Sequence, residues 1–286
     1  YRAVACGDEP FAVEATGGQG NGTVTYAVTE GQDVVSVSVS TVTILKSGTA
    51  TITATKAADE DYNEATATLV VYVTPKQVDG VYQIGTANDL FWFAGLVNGT
   101  LENVEQDTAA SAVLTADIDL SGETWTPIGS ESTPYTGTFD GQGYTISGMT
   151  IENAESYSGL FGNVTGTVKN FTVTGSITIT GDETVAKVGG AVGSLGTASA
   201  GGTVSGVISG VDITVSAGND HIGGVVGSMP ENSSPTVENC IYTGKITVTV
   251  AAGSVAGIVG YIRTGTIQNC ANQGSISVDV DGTGSV

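Results

Sequence analysis

Side chains able to do chemistry are scarce in this 286-residue chain, and their spacing restricts what they could do. Asp117, Asp119 and Asp140 could supply oxygen ligands to a calcium ion. The same carboxylates also suit tight turns, where each accepts a hydrogen bond from nearby backbone, and that structural reading is preferred. Polysaccharide lyases need a strong base beside bound sugar acids, and glycoside hydrolases need paired carboxylates. Beyond residue 78 the basic side chains are only Lys169, Lys187, Lys245 and Arg263. Asp182, Glu183, Asp212 and Asp220 do not fall into matching rows, and Arg263 sits on a turn with no acidic row around it. His221, the sole histidine, follows Asn219 and Asp220 in a loop and reads as solvated rather than catalytic. The aromatics that could carry a sugar are few beyond Tyr157, Tyr242 and Tyr261. No catalytic constellation is expected.

The elements that must position these groups follow from a repeated glycine phrase. It reads GLFG at 159–162, GGAVG at 189–193, GGVVG at 223–227 and AGIVG at 256–260. From Gly159 to Gly190, Gly224 and Gly257 it returns after 31, 34 and 33 residues, the period of a solenoid whose units bury apolar surface only by stacking. Three strand phrases per repeat predict a parallel β-helix coil, each coil about 4.8 Å from the next. In the middle phrase, Ile177, Ile213, Ile246 and Ile276 form one inward row, and Ile179, Val215, Val248 and Val278 a second. Thr178, Thr214, Thr247 and Ser277 then point outward, with Asp212 and Lys245 adjacent as a surface ion pair of little worth. The threonine row resembles those of ice-binding β-helices, but its flanking row is irregular and charged, and threonine simply suits an exposed strand.

Asn170, Asn239 and Asn269 are expected to stack as an amide ladder that Gly206 interrupts. Cys240 and Cys270 are vertical neighbours, read as packed thiols in preference to a disulfide. The glycine phrase is apolar at both parities. Phe161, Val192, Val226 and Val259 make one row, and Leu160, Ala191, Val225 and Ile258 the other. One row must face away from the core, either covered by another segment or left as an apolar stripe for a partner. We take Leu160, Ala191, Val225 and Ile258 as the candidate binding stripe.

Ahead of the repeats, residues 86–98 read as an amphipathic helix capping the open first coil, with Trp92 and Phe93 as core. Residues 1–75 alternate polar and apolar in short segments (23–28, 34–39, 42–45, 49–55 and 66–73) and predict a small antiparallel sandwich. Pro75 marks the boundary. The acidic loop Asp59-Glu60-Asp61 reads as solvated rather than as a cation site.

Composition agrees with an all-β chain: 42 glycines, 40% hydrophobic residues and almost no helix-forming runs. The net charge of −21 would repel phosphate backbones and anionic lipids, so nucleic-acid binding is excluded. It suits solubility outside a cell. No stretch approaches the roughly 18 apolar residues of a membrane span, so no membrane insertion is expected. Three cysteines are too few for a disulfide framework or a zinc site. The abrupt start at Tyr1 and stop at Val286 lead us to expect a piece of a longer protein with flanking domains.

Two stretches resemble known families. GDEPF at 7–11, ATGGQGNGTVTYAV at 15–28 and GTATITATKAADEDYNEATATLVVYV at 48–73 resemble a bacterial immunoglobulin-like (Big-type) domain. That resemblance implies a stalk module and offers Tyr62 as a tyrosine-corner residue. From about 78 to 286, the helix, the DIDL phrase at 117–120, the FDG phrase at 139–141 and the glycine repeats resemble GLUG-motif proteins. This implies a right-handed parallel β-helix on a bacterial surface, with Asp117, Asp119 and Asp140 as structural positions. The motif also sits beside catalytic domains such as IgA-specific metallopeptidases, which have no counterpart in this sequence.

The expected protein is therefore a non-catalytic extracellular module, secreted or at the bacterial cell surface. It would serve adhesion or presentation and bind a host or matrix glycan or protein, with no cofactor unless calcium. The alternatives are a carbohydrate-active β-helix enzyme and a structural spacer.

Overall fold

A computed structural model describes residues 1–152, 156–180, 187–216, 221–231, 234–249 and 253–279. Its strands and one short helix, among the described residues, divide into two compact units, one comprising 1–83 with 88–92 and the other 84–87 with 93–286.

In the first unit, Val24–Glu30, Gly48–Lys56 and Ala65–Thr74 form an antiparallel sheet, joined in parallel by Arg2–Ala5. Phe11–Ala12, Thr41–Ile44 and Val35–Ser38 make a second, three-stranded sheet. Phe11, Val35, Val42, Ile52, Val71 and Val73 meet in its core. Arg2–Ala5 and Phe11–Ala12 are strands that the alternation does not reveal. Tyr62 is 46% exposed and does not fill a buried tyrosine corner. Asp59 instead orders its own loop, accepting the backbone N–H groups of Asn21, Asp61 and Tyr62. Those bonds, from Asn21 first, hold its carboxyl below the usual range.

The second unit is a parallel β-solenoid of about five turns. Each full turn crosses four sheets where the sequence predicts three. The first face carries Thr138–Asp140, Thr167–Lys169, Thr203–Ser205, Thr236–Glu238 and Thr266–Gln268. The second carries Thr145–Ile151, Thr172–Ile179, Ile208–Val215, Lys245–Val248 and Ser275–Val278. Tyr157–Ser158, Lys187–Gly189, His221–Gly223 and Ser254–Ala256 make the third face. Phe161–Val164, Val192–Leu195, Val226–Met229 and Val259–Ile262 make the fourth.

The second-face rows form as the spacing predicts: Ile177 pairs with Ile213, Ile213 with Ile246 and Ile246 with Ile276. The first three are fully buried, each contributing about 1.5–3 kcal/mol by leaving water, but Ile276 and Val278, expected inside, are exposed on the last described coil. Outside, the expected Asp212–Lys245 ion pair is replaced by a bond to backbone. The Asp212 carboxylate accepts the N–H of Lys245 at 2.8 Å.

The glycine phrase supplies the fourth sheet. It is two short strands joined by a bend at Gly159-Leu160, Gly190-Ala191, Gly224-Val225 and Gly257-Ile258. A bend resets strand alternation, so apolar residues of both parities turn inward. Leu160, Ala191 and Val225 are fully buried and Ile258 half-buried, which corrects the expectation of an open stripe. The cover is the chain itself. Third and fourth faces pack so closely that a Cβ on Gly193 would lie 2.7 Å from Ser158 N and 2.8 Å from Lys187 O.

The helix Ala87–Asn98 buries Trp92 and Phe93. In the second unit the Phe93 ring meets Tyr135 at 6.0 Å and Phe139 at 6.2 Å. Tyr135, Phe139, Phe161 and Phe171 continue as an aromatic stack through the first coils.

The asparagine row has a conformational basis. Asn170, Asn239 and Asn269 take φ of 57°, 54° and 54°, and Gly206 takes 63°. Glycine is thus no interruption, since both residue types tolerate the left-handed region. The Asn170 amide donates to the Asp140 carboxylate at 3.1 Å rather than to another amide. Asn239→Gly should therefore change stability by less than about 0.5 kcal/mol, and Asn239→Val should cost about 1–2 kcal/mol. Urea unfolding of both variants checks this; equal losses would return the row to an amide ladder.

Candidate functional site

The three aspartates considered as calcium ligands are occupied by backbone N–H groups, in their own turns or one coil away. Asp117 accepts the N–H of Thr145 at 2.8 Å, Asp119 that of Ser121 at 2.9 Å and Asp140 that of Gln142 at 3.0 Å. Burial would raise the Asp140 carboxyl, but Gln142, Asn170 and Lys169 together hold it below its ordinary value. Lys169 lies 3.3 Å away. Among the described residues no three His, Cys, Asp or Glu side chains gather as a metal would require. Cys240 and Cys270 are free thiols, and burial pushes the Cys240 thiol up to about 12. Asp182, Glu183, Asn219 and Asp220 lie outside the described residues.

Tyr242, read as exposed, is fully buried, and its hydroxyl donates to Val211 O at 3.1 Å. Gly224 and Gly274 make room for its ring, and Gly244 for its hydroxyl. His221 also departs from expectation. It stands on the third-face strand, Nδ1 2.9 Å from Ser254 Oγ and its ring stacked on Tyr261 at 4.1 Å. Arg263, expected to lack acidic company, pairs with Glu231 at 3.3 Å.

A concave feature of the solenoid lies at its first coils. A cleft of about 830 Å³ is lined by Trp125, Pro127, Glu131, Glu152 and Tyr157, with Ser130, Ser132 and Thr133 on one side. The local sequence explains its rigidity. Trp125 enters the coil stack through N–H to Thr150 O, and its indole N–H donates to Leu160 O at 3.0 Å, leaving the ring as a buried floor. The following segment bridges to the fourth face at Ile128–Phe161 and Tyr135–Val164, so residues 129–134 stand out as a loop. Asn98, the last residue of the helix, clamps that loop. It donates to Pro127 O at 3.0 Å and accepts from Gly129 N at 2.8 Å.

Tyr157 closes the other wall. Lys187, one rung on, donates to the Tyr157 hydroxyl at 2.7 Å and places its ammonium 4.3 Å from the ring centroid. Burial first, then hydrogen bonding and charge from Glu131, raise the Tyr157 phenol, so it stays protonated and donates. Burial lowers the Lys187 amine, while the Glu131 charge opposes that shift. The result is a polar chain of Lys187, Tyr157 and Glu131 beside an aromatic floor. It can accept from and donate to a polyhydroxylated ligand.

No family model matches the chain. It is 31% identical over 197 residues, 64% of its length, to Halomucin of Haloquadratum walsbyi (strain DSM 16790 / HBSQ001). The chain spans only 2% of the length of that relative. Among solved structures it is similar to a protein of Bacteroides ovatus provisionally assigned as an immunoglobulin A1 protease. There the TM-score is 0.46 and the identity 18%, over 70% of this chain and 68% of that one. Among the described residues no helix is long and apolar enough to cross a membrane.

Trp125, Glu131 and Glu152 were not legible as site residues, because their meeting depends on the clamp from Asn98. Tyr157 and Lys187 had a usable signal. Both stand two residues before a glycine phrase, and that shared offset puts them in one row.

Proposed function

We propose that the chain is an extracellular surface module that binds a glycan through the cleft at the head of its solenoid, in adhesion or presentation. The observation that carries this reading is the cleft's lining: an aromatic floor, a fixed tyrosine, serine and threonine hydroxyls, and two carboxylates. A few convergent polar groups around an apolar base suit a sugar, whose hydroxyls both donate and accept. The similarity to Halomucin and the net charge of −21 support a surface location. The sequence resemblances extend the proposal to a Big-type immunoglobulin-like stalk followed by a GLUG-type right-handed β-helix.

The test is a glycan array with a protein pull-down, run on the intact chain and on Tyr157→Ala. The chain should retain at least one glycan class, and Tyr157→Ala should weaken retention about ten-fold, as loss of a stacked ring does. Absence of any glycan at high protein concentration, or a protein ligand indifferent to Tyr157, would sink the reading.

A second reading, a carbohydrate-active enzyme, rests on Glu131 and Glu152 lining the same cleft. Paired carboxylates are what glycoside hydrolysis needs. Release of reducing ends that Glu131→Gln abolishes would establish it.

A further inference from the structure

We propose, resting on the glycan reading above, that the ligand is an unbranched neutral polysaccharide lying along the solenoid axis, running from the cleft over the outer row of the third face. Tyr157, Lys187, His221 and Ser254 stand in direct register, one per rung. Their strand neighbours Ser158, Val188 and Ile222 are buried, so the row faces away from the core. All four are half-buried, which fixes their stems and leaves their polar ends reachable. Tyr157 belongs to both the cleft wall and the row, so the two surfaces are continuous.

Rungs advance by about 4.8 Å, close to the advance of one pyranose ring in an extended β-linked chain. A linear glycan laid along the axis would thus meet one residue of the row at every sugar. The row is also held in place before any ligand arrives. Lys187 is bonded to Tyr157, and His221 to Ser254. His221 and Tyr261 stack within 7° of parallel and put an aromatic patch at the far end. Side chains fixed in this way lose little freedom on binding. By contrast, the outward row of the second face, Thr178, Thr214, Thr247 and Ser277, has no ring at all. Chemical class follows from charge. The row offers hydroxyl, ammonium and imidazole groups able to bond sugar hydroxyls, and a chain of net charge −21 disfavours a polyanion.

Calorimetric titration with β-1,4-linked gluco-, xylo- and manno-oligosaccharides of two to six sugars, and with their uronate counterparts, tests the inference. In at least one neutral series, affinity should rise about ten-fold or more from two sugars to five. His221→Ala and Tyr261→Ala, which remove the stacked pair at the far end of the row, each checked for an unchanged melting profile, should erase that increment and leave the disaccharide affinity intact. Affinity flat with length, or an increment indifferent to both variants, would overturn the axial path while leaving the cleft reading in place. Tighter binding of the uronates would overturn the neutral class. Failure of every oligosaccharide to bind would overturn this inference together with the reading on which it rests.

Discussion

Replacing Gly193 by alanine should cost the solenoid about 3 kcal/mol, the upper range for forcing extra atoms into a packed interior. Three backbone atoms stand within 2.8 Å of where the new methyl would go: Gly162 O, Ser158 N and Lys187 O. Backbone cannot swing aside as a side-chain tip can, so two faces of the coil must separate. The φ of Gly193 is not in the left-handed region, so the requirement is for space and not for conformation. In a thermal melt the loss should lower the Tm by roughly 6–12 °C. Thr214→Ala, at an exposed position of the second face's outward row, should stay within about 0.5 kcal/mol. A loss below about 1 kcal/mol for Gly193→Ala would mean that third and fourth faces do not meet as described.

Phe161→Ala should be at least as damaging, at about 3–5 kcal/mol. Its ring lies 5.4 Å from Tyr135, 5.3 Å from Phe139 and 6.4 Å from Phe171, so the truncation leaves a hole with aromatic walls on three sides. Such rings interact beyond their buried area, by about 0.5–1.5 kcal/mol per pair. The damage should also reach the cleft, because the backbone of Leu160, next to Phe161, accepts the Trp125 indole N–H. A quenched or shifted tryptophan fluorescence spectrum in the folded variant would report that. Phe161→Leu, which refills most of the volume, should recover more than half of the stability. Equal losses for the two variants would show that ring contacts, not the cavity, dominate.

Legibility in the sequence followed how far each feature depends on local spacing. Ile177, Ile213, Ile246 and Ile276 could be aligned by counting, because strand alternation and a period near 33 fix both face and rung. The helix at 86–98 was legible for a similar reason, and it runs from Ala87 to Asn98. The turn roles of Asp117, Asp119 and Asp140 were legible because their partners are close along the chain or one coil away. What misled was a change of direction inside an apolar run. Read as one strand, the glycine phrase must expose Leu160, Ala191 and Val225. Folded at its bend, it hides all three. Tyr242 misled because the glycines that receive its ring, Gly224 and Gly274, lie far from it along the chain. The cleft was the least legible feature, since it needs Asn98 to hold a loop thirty residues away.

The in-register stack has a consequence for how such a chain can change over generations. Gly189, Gly223 and Ala256 occupy one column, as do Val192, Val226 and Val259. Each rung therefore presents nearly the same upper and lower surface to its neighbours. Unequal recombination between two gene copies of a rung would add or remove a whole turn without creating a new junction. Since coupling runs only between adjacent repeats, the altered array would still close up. The length of the outer row, and with it the reach of the molecule, is thus heritable as a number of turns, separately from the chemistry of the cleft at its head.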